Sequence, residues 1–212
     1  MCGRFCIAAS PGELKERYGI FIPKDYSMRY NISPGRKILI ITKESQKYKA
    51  DMREWGISSD IAHRIINARI ETVHKKPLFK SLFDKNRCLV PASGYFEWRS
   101  DGNRKTPFYF TSPSGALISF AGLVHPNPTG DQVVILTTDA KHPYSRIHDR
   151  MPVILEPSDE HKYLSDGEIS YISKTLNYYE VSSMVNQVKL DNPDLVKPVR
   201  NHSDQKTLDD IL

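Results

Sequence analysis

The chain is short of the features that announce many common chemistries. Only 3 of its 212 residues are cysteine, an odd and small number that argues against a disulfide framework and for a reducing compartment. It has no C-x₂-C pair and no H-E-x-x-H spacing, so no metal site is expected. No apolar run approaches the roughly 20 residues that span a bilayer, and the N-terminus lacks the charged-then-apolar layout of a signal peptide. Glycine-rich phosphate loops are missing, as are internal repeats and long low-complexity linkers. These absences point to a cytoplasmic protein with no metal, no cofactor and no membrane partner.

What is present suits one large domain over residues 1–212, with a polar tail from about Asn201 expected to fray. A hydrophobic fraction of 39% and 19 Phe and Tyr residues are enough for a sizeable core. The net charge of +5 hides an asymmetry. Residues 1–155 carry 24 Lys and Arg against 14 Asp and Glu, whereas residues 156–212 carry 6 against 11. A basic body with an acidic C-terminal quarter suggests an anionic partner for the body, with solvated surface lysine as the plainer explanation.

Ser10-Pro11-Gly12-Glu13 reads as a capping box with proline at the first helical position, and Gly19 supplies a stop after Leu14 and Tyr18 on one helical face. Strand patterns then dominate: Lys37–Thr42, Tyr48–Ile57, Arg87–Val90, Phe108–Thr111, Ala116–Val124, Val133–Thr138 and Pro152–Leu155. Turn residues cluster at 100–107, 112–115 and 125–131. Helices are expected at 139–147, 158–165 and 168–177. The fold class is α+β, a strand-rich curled or barrel-like core with peripheral helices.

Four places carry possible chemistry. The first is Cys2. Removal of Met1 would give it an amine and a thiol on adjacent carbons, with pKa values of about 7.7–8.0 and about 8.5. Such a pair can condense with an aldehyde to an imine and close a thiazolidine ring. Alternatively, the thiol can attack an amide carbonyl with the amine as base. A buried structural cysteine in a first strand competes with both. Strict alternation would put Cys6 on the same strand face as Cys2.

The second is Asn67-Ala68-Arg69-Ile70-Glu71-Thr72. Asparagine offers donors and an acceptor, and arginine offers a planar fork suited to phosphate. A turn asparagine and a surface Arg–Glu pair would leave the same sequence. The third runs from Cys88 to Trp98. Glu97 lies between Phe96 and Trp98, where an aromatic setting would disfavour its charged form and make it a general acid. In a strict strand it would point away from both neighbours and could face water. The fourth is His148-Asp149-Arg150-Met151-Pro152. His148 is a natural proton shuttle, and in an extended segment Arg150 points to its side. A histidine capping the preceding helix is the competing interpretation.

Together these strings resemble a known family. Met1-Cys2-Gly3-Arg4-Phe5, Tyr30-Asn31-Ile32-Ser33-Pro34, Trp55-Gly56-Ile57, Asn67 through Thr72, Arg87 through Trp98, Ala121-Gly122-Leu123 and His148 through Leu155 stand in the order of the SOS-response-associated peptidase (SRAP) family. The resemblance covers residues 1 to about 155. It implies an abasic-site sensor that forms a covalent thiazolidine between its N-terminal cysteine and an abasic site in single-stranded DNA, shielding the lesion; separately, a monomer is expected. By motif position it implies Cys2 as nucleophile, Asn67 holding the reacting groups, Glu97 and His148 managing protons, and Arg4, Arg69 and Arg150 on the DNA backbone. The peptidase label reflects proposed removal of the residue before the cysteine, and β-elimination from the imine would be a lyase side reaction. One departure stands. Where the family continues with a Pro-x-Trp segment, this chain reads Trp55-Gly56-Ile57-Ser58-Ser59-Asp60, without those residues for a wedge against a duplex end.

Two rivals are set against this assignment. An N-terminal-nucleophile glutaminase would also begin Met-Cys-Gly, but Arg4-Phe5 stands where that class has an apolar residue. A non-enzymatic single-strand-binding module would use basic charge and aromatics alone, with salt-sensitive binding and no covalent product.

Overall fold

The structure is a computed structural model and describes residues 2–45, 47–58, 64–169 and 175–199. Along the chain run β1 (Phe5–Ile7), α1 (Pro11–Tyr18), β2 (Arg29–Ile32), β3 (Lys37–Glu44), β4 (Lys47–Trp55), β5 (Asn67–Arg69), α2 (Pro77–Lys85) and β6 (Arg87–Ala92). There follow β7 (Gly94–Asp101), β8 (Arg104–Thr111), β9 (Ile118–His125), β10 (Gln132–Asp139), β11 (Arg150–Pro152), β12 (Ile154–Leu155), α3 (Pro157–Asp166) and β13 (Asn177–Glu180). The α+β expectation holds: strands form a curled core, and the helices sit at its edge.

One sheet is antiparallel throughout, in the order β13-β8-β7-β1-β2. In the other, pairing passes from β10 through β4, β3, β6 and β9, and β9 pairs again with β10. Strand β10 is the organising element. One edge takes β4 and then β5 in parallel, and the other takes β9 and then β11 antiparallel.

The main core fills the space between the sheets. Phe5 meets Trp55 edge-on at 5.3 Å and Phe120 at 5.9 Å, while Tyr95 stacks on Phe110 at 4.7 Å. Such offset and T-shaped pairs suit the charge distribution of aromatic rings. The five-stranded sheet is also covered on its outer face, where Cys6, Phe96 and Tyr109 pack against Val181, Val185 and Leu195 of the C-terminal segment.

Helix α1 forms as its sequence pattern requires. Ser10 Oγ accepts from the Glu13 amide at 3.2 Å, the Ser10 amide donates to Glu13 Oε2 at 2.7 Å, and Gly19 ends the helix at φ 64°. Helix α3 extends one residue beyond the expected 158–165 at each end, and Gly167 caps it. Two expectations need correction. Over 139–147 only Tyr144–Arg146 makes a 3₁₀ turn, because β10 runs on to Asp139 and Pro143 lacks the amide donor a helix there needs. Over 168–177, Asn177 already opens β13, and residues 170–174 lie outside the described residues, as does the tail from Asn201.

Candidate active site

Four of the residues singled out by the sequence converge at one end of the curled core. Cys2 is buried just ahead of β1. Strand β1 is held on both sides, with Phe5 opposite Ile32 and Tyr95. The Phe96 amide donates to the Arg4 carbonyl at 2.9 Å, which sets the Cys2 end of the chain in register with the strand carrying Glu97. Cys2 and Cys6 do not share a face, contrary to strict alternation. Cys2 lies outside the three-residue strand and in the main core, while Cys6 lies in the outer cluster.

Asn67 opens β5, whose parallel register on β10 sets it opposite Ile135. The neighbouring Ile66 carbonyl is fixed by the Trp55 indole at 3.0 Å and by the Ile135 amide at 3.1 Å. From this anchored strand Asn67 Nδ2 donates to the Cys2 carbonyl at 2.8 Å. Its Oδ1 is buried without a hydrogen-bond partner among the described residues. Such an atom is costly to leave unpaired.

Glu97 points away from Phe96 and Trp98, as alternation requires, but it does not face water. Only 3% of its surface is exposed. Burial pushes its pKa up from 4.5 to about 7, because desolvation disfavours the charged carboxylate. The expected direction is right, but flanking aromatics on its own face are not the cause. Burial also pushes the Cys2 thiol far up, with the charge of Glu97 adding to the effect.

His148 precedes β11, on the opposite edge of β10 from Asn67, so a single strand fixes both. Its Nε2 lies 3.9 Å from Glu97 Oε2. Its Nδ1 accepts from the Arg150 amide at 3.0 Å and lies 2.9 Å from Asp149 Oδ1. Desolvation lowers the imidazole pKa, against the opposing pull of Asp149. A buried acid raised toward neutrality beside an imidazole held below its ordinary value is an arrangement for proton transfer near pH 7.

The arginines separate. Arg69 is exposed. Arg150 is only 6% exposed. It holds Glu71 through Nη1 and Nη2 at 2.9 Å each, pairs with Asp139, and reaches the Thr137 carbonyl at 2.8 Å. For Arg150 to contact the DNA backbone as expected, a phosphate would have to share or displace these partners. Two carboxylates and a carbonyl occupy its guanidinium fork, and its partners differ from those of His148. Arg4 is half-buried, with Nη1 donating to Asn31 Oδ1 at 2.7 Å and to the Val185 carbonyl at 2.8 Å.

A cavity of about 420 Å³ opens beside the cluster, lined by Glu97, Trp98, Ser100, Lys105, His148 and Asn186. Sequence reasoning passed over Lys105 and Asn186. Lys105 lies in a stretch read as a turn, and Asn186 lies in the acidic quarter, where no local pattern marks it. Among the described residues no group of three or more His, Cys, Asp or Glu side chains is placed to hold a metal ion.

Known proteins resemble this chain in fold and in sequence. A crystal structure of a protein from Bacteroides thetaiotaomicron superposes with a TM-score of 0.80 at 23% identity, covering 94% of this chain and all of that one. The abasic site processing protein YoqW of Bacillus subtilis (strain 168) is 32% identical, covering 93% of this chain and 99% of that protein. The abasic site processing protein YedK of Escherichia coli (strain K12) is 29% identical, with coverage of 94% and 100%. The family model for the SOS response associated peptidase (SRAP) matches residues 1–188. With most of its length matched by that model, the chain belongs to the SRAP family.

Proposed function

We propose that the protein processes abasic sites in single-stranded DNA by forming a thiazolidine between Cys2, freed of Met1, and the ring-opened sugar. The observation that carries this is the convergence of Asn67, Glu97 and His148 on Cys2, with Asn67 Nδ2 2.8 Å from the Cys2 carbonyl and His148 3.9 Å from Glu97. The Cys2 amine adds to the C1′ aldehyde, forming a C–N bond and a carbinolamine hydroxyl. Glu97, kept neutral by burial up to about pH 7, donates the proton with which that hydroxyl leaves as water. The thiol then adds to the imine carbon, and its proton passes to the ring nitrogen. His148 serves as base for opening the deoxyribose ring. Asn67 Oδ1, buried without a partner among the described residues, accepts from the amine or a sugar hydroxyl.

Capture by sulfur competes with β-elimination, which would cut the strand. An abasic nucleotide has no base to unstack, so turning it into a pocket costs less than flipping an intact one. Arg69, exposed on β5 two residues from Asn67, meets the phosphate backbone. Arg4 and Arg150 act behind it by holding chain segments.

The test mixes protein of confirmed Cys2 N-terminus with single-stranded DNA carrying one abasic site, then looks for an adduct on a denaturing gel. Wild type should give an adduct and Cys2→Ala none, while Cys2→Ser should give only an imine trappable by borohydride. Absence of any adduct with the wild type would overturn the proposal. Ammonia release from glutamine would instead favour an amidohydrolase.

A further inference from the structure

The acidic C-terminal quarter and the Tyr30-Asn31-Ile32-Ser33-Pro34 string take no part in the chemistry above, yet the structure ties them together directly behind Cys2. Asn31 is 2% exposed. Its Nδ2 faces three carbonyls of the C-terminal segment, Leu190 at 2.8 Å, Gln187 at 3.2 Å and Val185 at 3.3 Å. Its Oδ1 takes the Arg4 guanidinium at 2.7 Å, and the same Arg4 nitrogen also reaches the Val185 carbonyl at 2.8 Å. Asp191 closes the staple from outside. It accepts from the Tyr30 amide at 2.6 Å and the Asn31 amide at 3.2 Å, and it pairs with Arg29.

We infer that Asn31 is a positioning residue for the Cys2 reaction: it joins the C-terminal segment to Arg4, and Arg4 fixes the chain two residues beyond the nucleophile. Arg4 is well placed to transmit this constraint. Its carbonyl receives the Phe96 amide, one residue before Glu97. Its guanidinium lies 5.9 Å from the centre of the Trp98 ring, within the range of a cation–π contact. The Trp98 indole donates to Asn186 Oδ1 at 2.8 Å, and Trp98 and Asn186 both line the cavity beside Glu97 and His148. The C-terminal segment is thus the back wall of the site. A nucleophile at the end of a chain, lacking covalent support on one side, is held by side-chain anchoring a short distance downstream. The Asn31 amide offers the acceptor for Arg4 together with donors for the segment's carbonyls, a combination leucine cannot supply and aspartate supplies by half.

The effect on adduct formation rests on the function proposed above, so the experiment has an arm that does not. In the first arm, single-turnover adduct formation is followed across concentrations of abasic single-stranded DNA. Asn31→Leu should lower the maximal rate by roughly 10- to 100-fold, as misplacement by about an ångström does, with the half-saturating DNA concentration little changed. Asn31→Asp, which keeps the acceptor for Arg4, should fall between. An unchanged maximal rate, or a loss confined to half-saturation, overturns the inference. If Asn31→Leu does not fold, Asp191→Asn at the rim of the same staple replaces it, with a smaller loss in the maximal rate expected and no loss again overturning it. In the second arm, iodoacetamide labelling with peptide mapping reads Cys2 against Cys88, which is buried elsewhere in the core. Releasing the staple should raise Cys2 labelling about tenfold relative to Cys88 through easier local opening, and equal rates overturn the inference. Failure of the wild type to form any adduct sinks the proposed function and leaves this second arm to decide.

Discussion

Replacing Glu97 with glutamine removes a carboxyl that the fold keeps from ionising. Burial raises its pKa from 4.5 to about 7, so the unfolded chain gives up this proton first. At 1.36 kcal/mol per pH unit, the gap amounts to about 3 kcal/mol. Below about pH 4.5 both states hold the proton and the group takes nothing from stability. Between about pH 4.5 and 7 the unfolded state is increasingly favoured as pH rises, and above about pH 7 the loss is complete. The glutamine variant does not titrate here. The stability difference between Glu97→Gln and wild type should therefore shift in the variant's favour by up to about 3 kcal/mol between pH 4.5 and pH 8. Titrating groups remote from Glu97 cancel in that difference, its close neighbour His148 contributes only the change in its coupling to the carboxylate, and a constant offset absorbs the amide's own hydrogen bonding. Urea unfolding of both proteins at four or five pH values, followed by tryptophan fluorescence, measures the shift. A difference that stays flat across the range would refute burial as the force acting on Glu97. The same substitution should slow adduct formation by about 10²–10⁴-fold if the carboxyl is the acid that expels water, and unchanged kinetics across the pH series would remove it from that role.

Two further substitutions test separate parts of the structure. Arg69→Ala should weaken binding to every single-stranded sequence alike and lower the slope of log affinity against log salt by about 0.7, measured by fluorescence anisotropy at several salt concentrations. A loss confined to one sequence would contradict a phosphate contact. Gly94→Ala would put a Cβ 2.3 Å from the Phe110 carbonyl oxygen and 2.5 Å from the Tyr109 ring. Because Gly94 pairs with both Cys6 and Thr111, neither strand can retreat. A destabilisation of about 1–3 kcal/mol is expected in thermal melts, and a wild-type melting temperature would refute the close approach of β7 and β8.

Legibility in the sequence followed the range of the interactions involved. Helix α1 was readable because its signals are local, with cap, proline and stop within ten residues. Helix α2 was harder to read: Pro77 opens it and Phe79, Leu82 and Phe83 share one helical face, but Lys76 provides no side-chain cap and no glycine ends it. Strands β3, β4, β9 and β10 showed as apolar or alternating runs. The three-residue strands β5 and β11 are too short for periodicity to register, although they carry Asn67 and introduce His148. Glu97 was recognisable as an odd carboxylate among aromatics, while the direction it faces depended on pairing with residues far along the chain. Arg4 and Arg150 look like open cations in sequence. Their partners lie 27 and 79 residues away, at Asn31 and Glu71, and no local pattern reports them.

The position of β1 has a consequence for the life of the chain before it is folded. Strand β1 lies between β2 and β7 in its sheet, yet β7 begins only at Gly94, far later along the chain. At synthesis rates of about 5–20 residues per second, the Cys2 thiol waits about 5–20 seconds before Glu97 has even been joined to the chain. Through that interval Cys2 lacks the strand that buries it and is open to passing electrophiles. Once β7 docks, Cys2 is sealed from solvent. The order of synthesis therefore sets a window in which the Cys2 thiol is unprotected, and folding closes it.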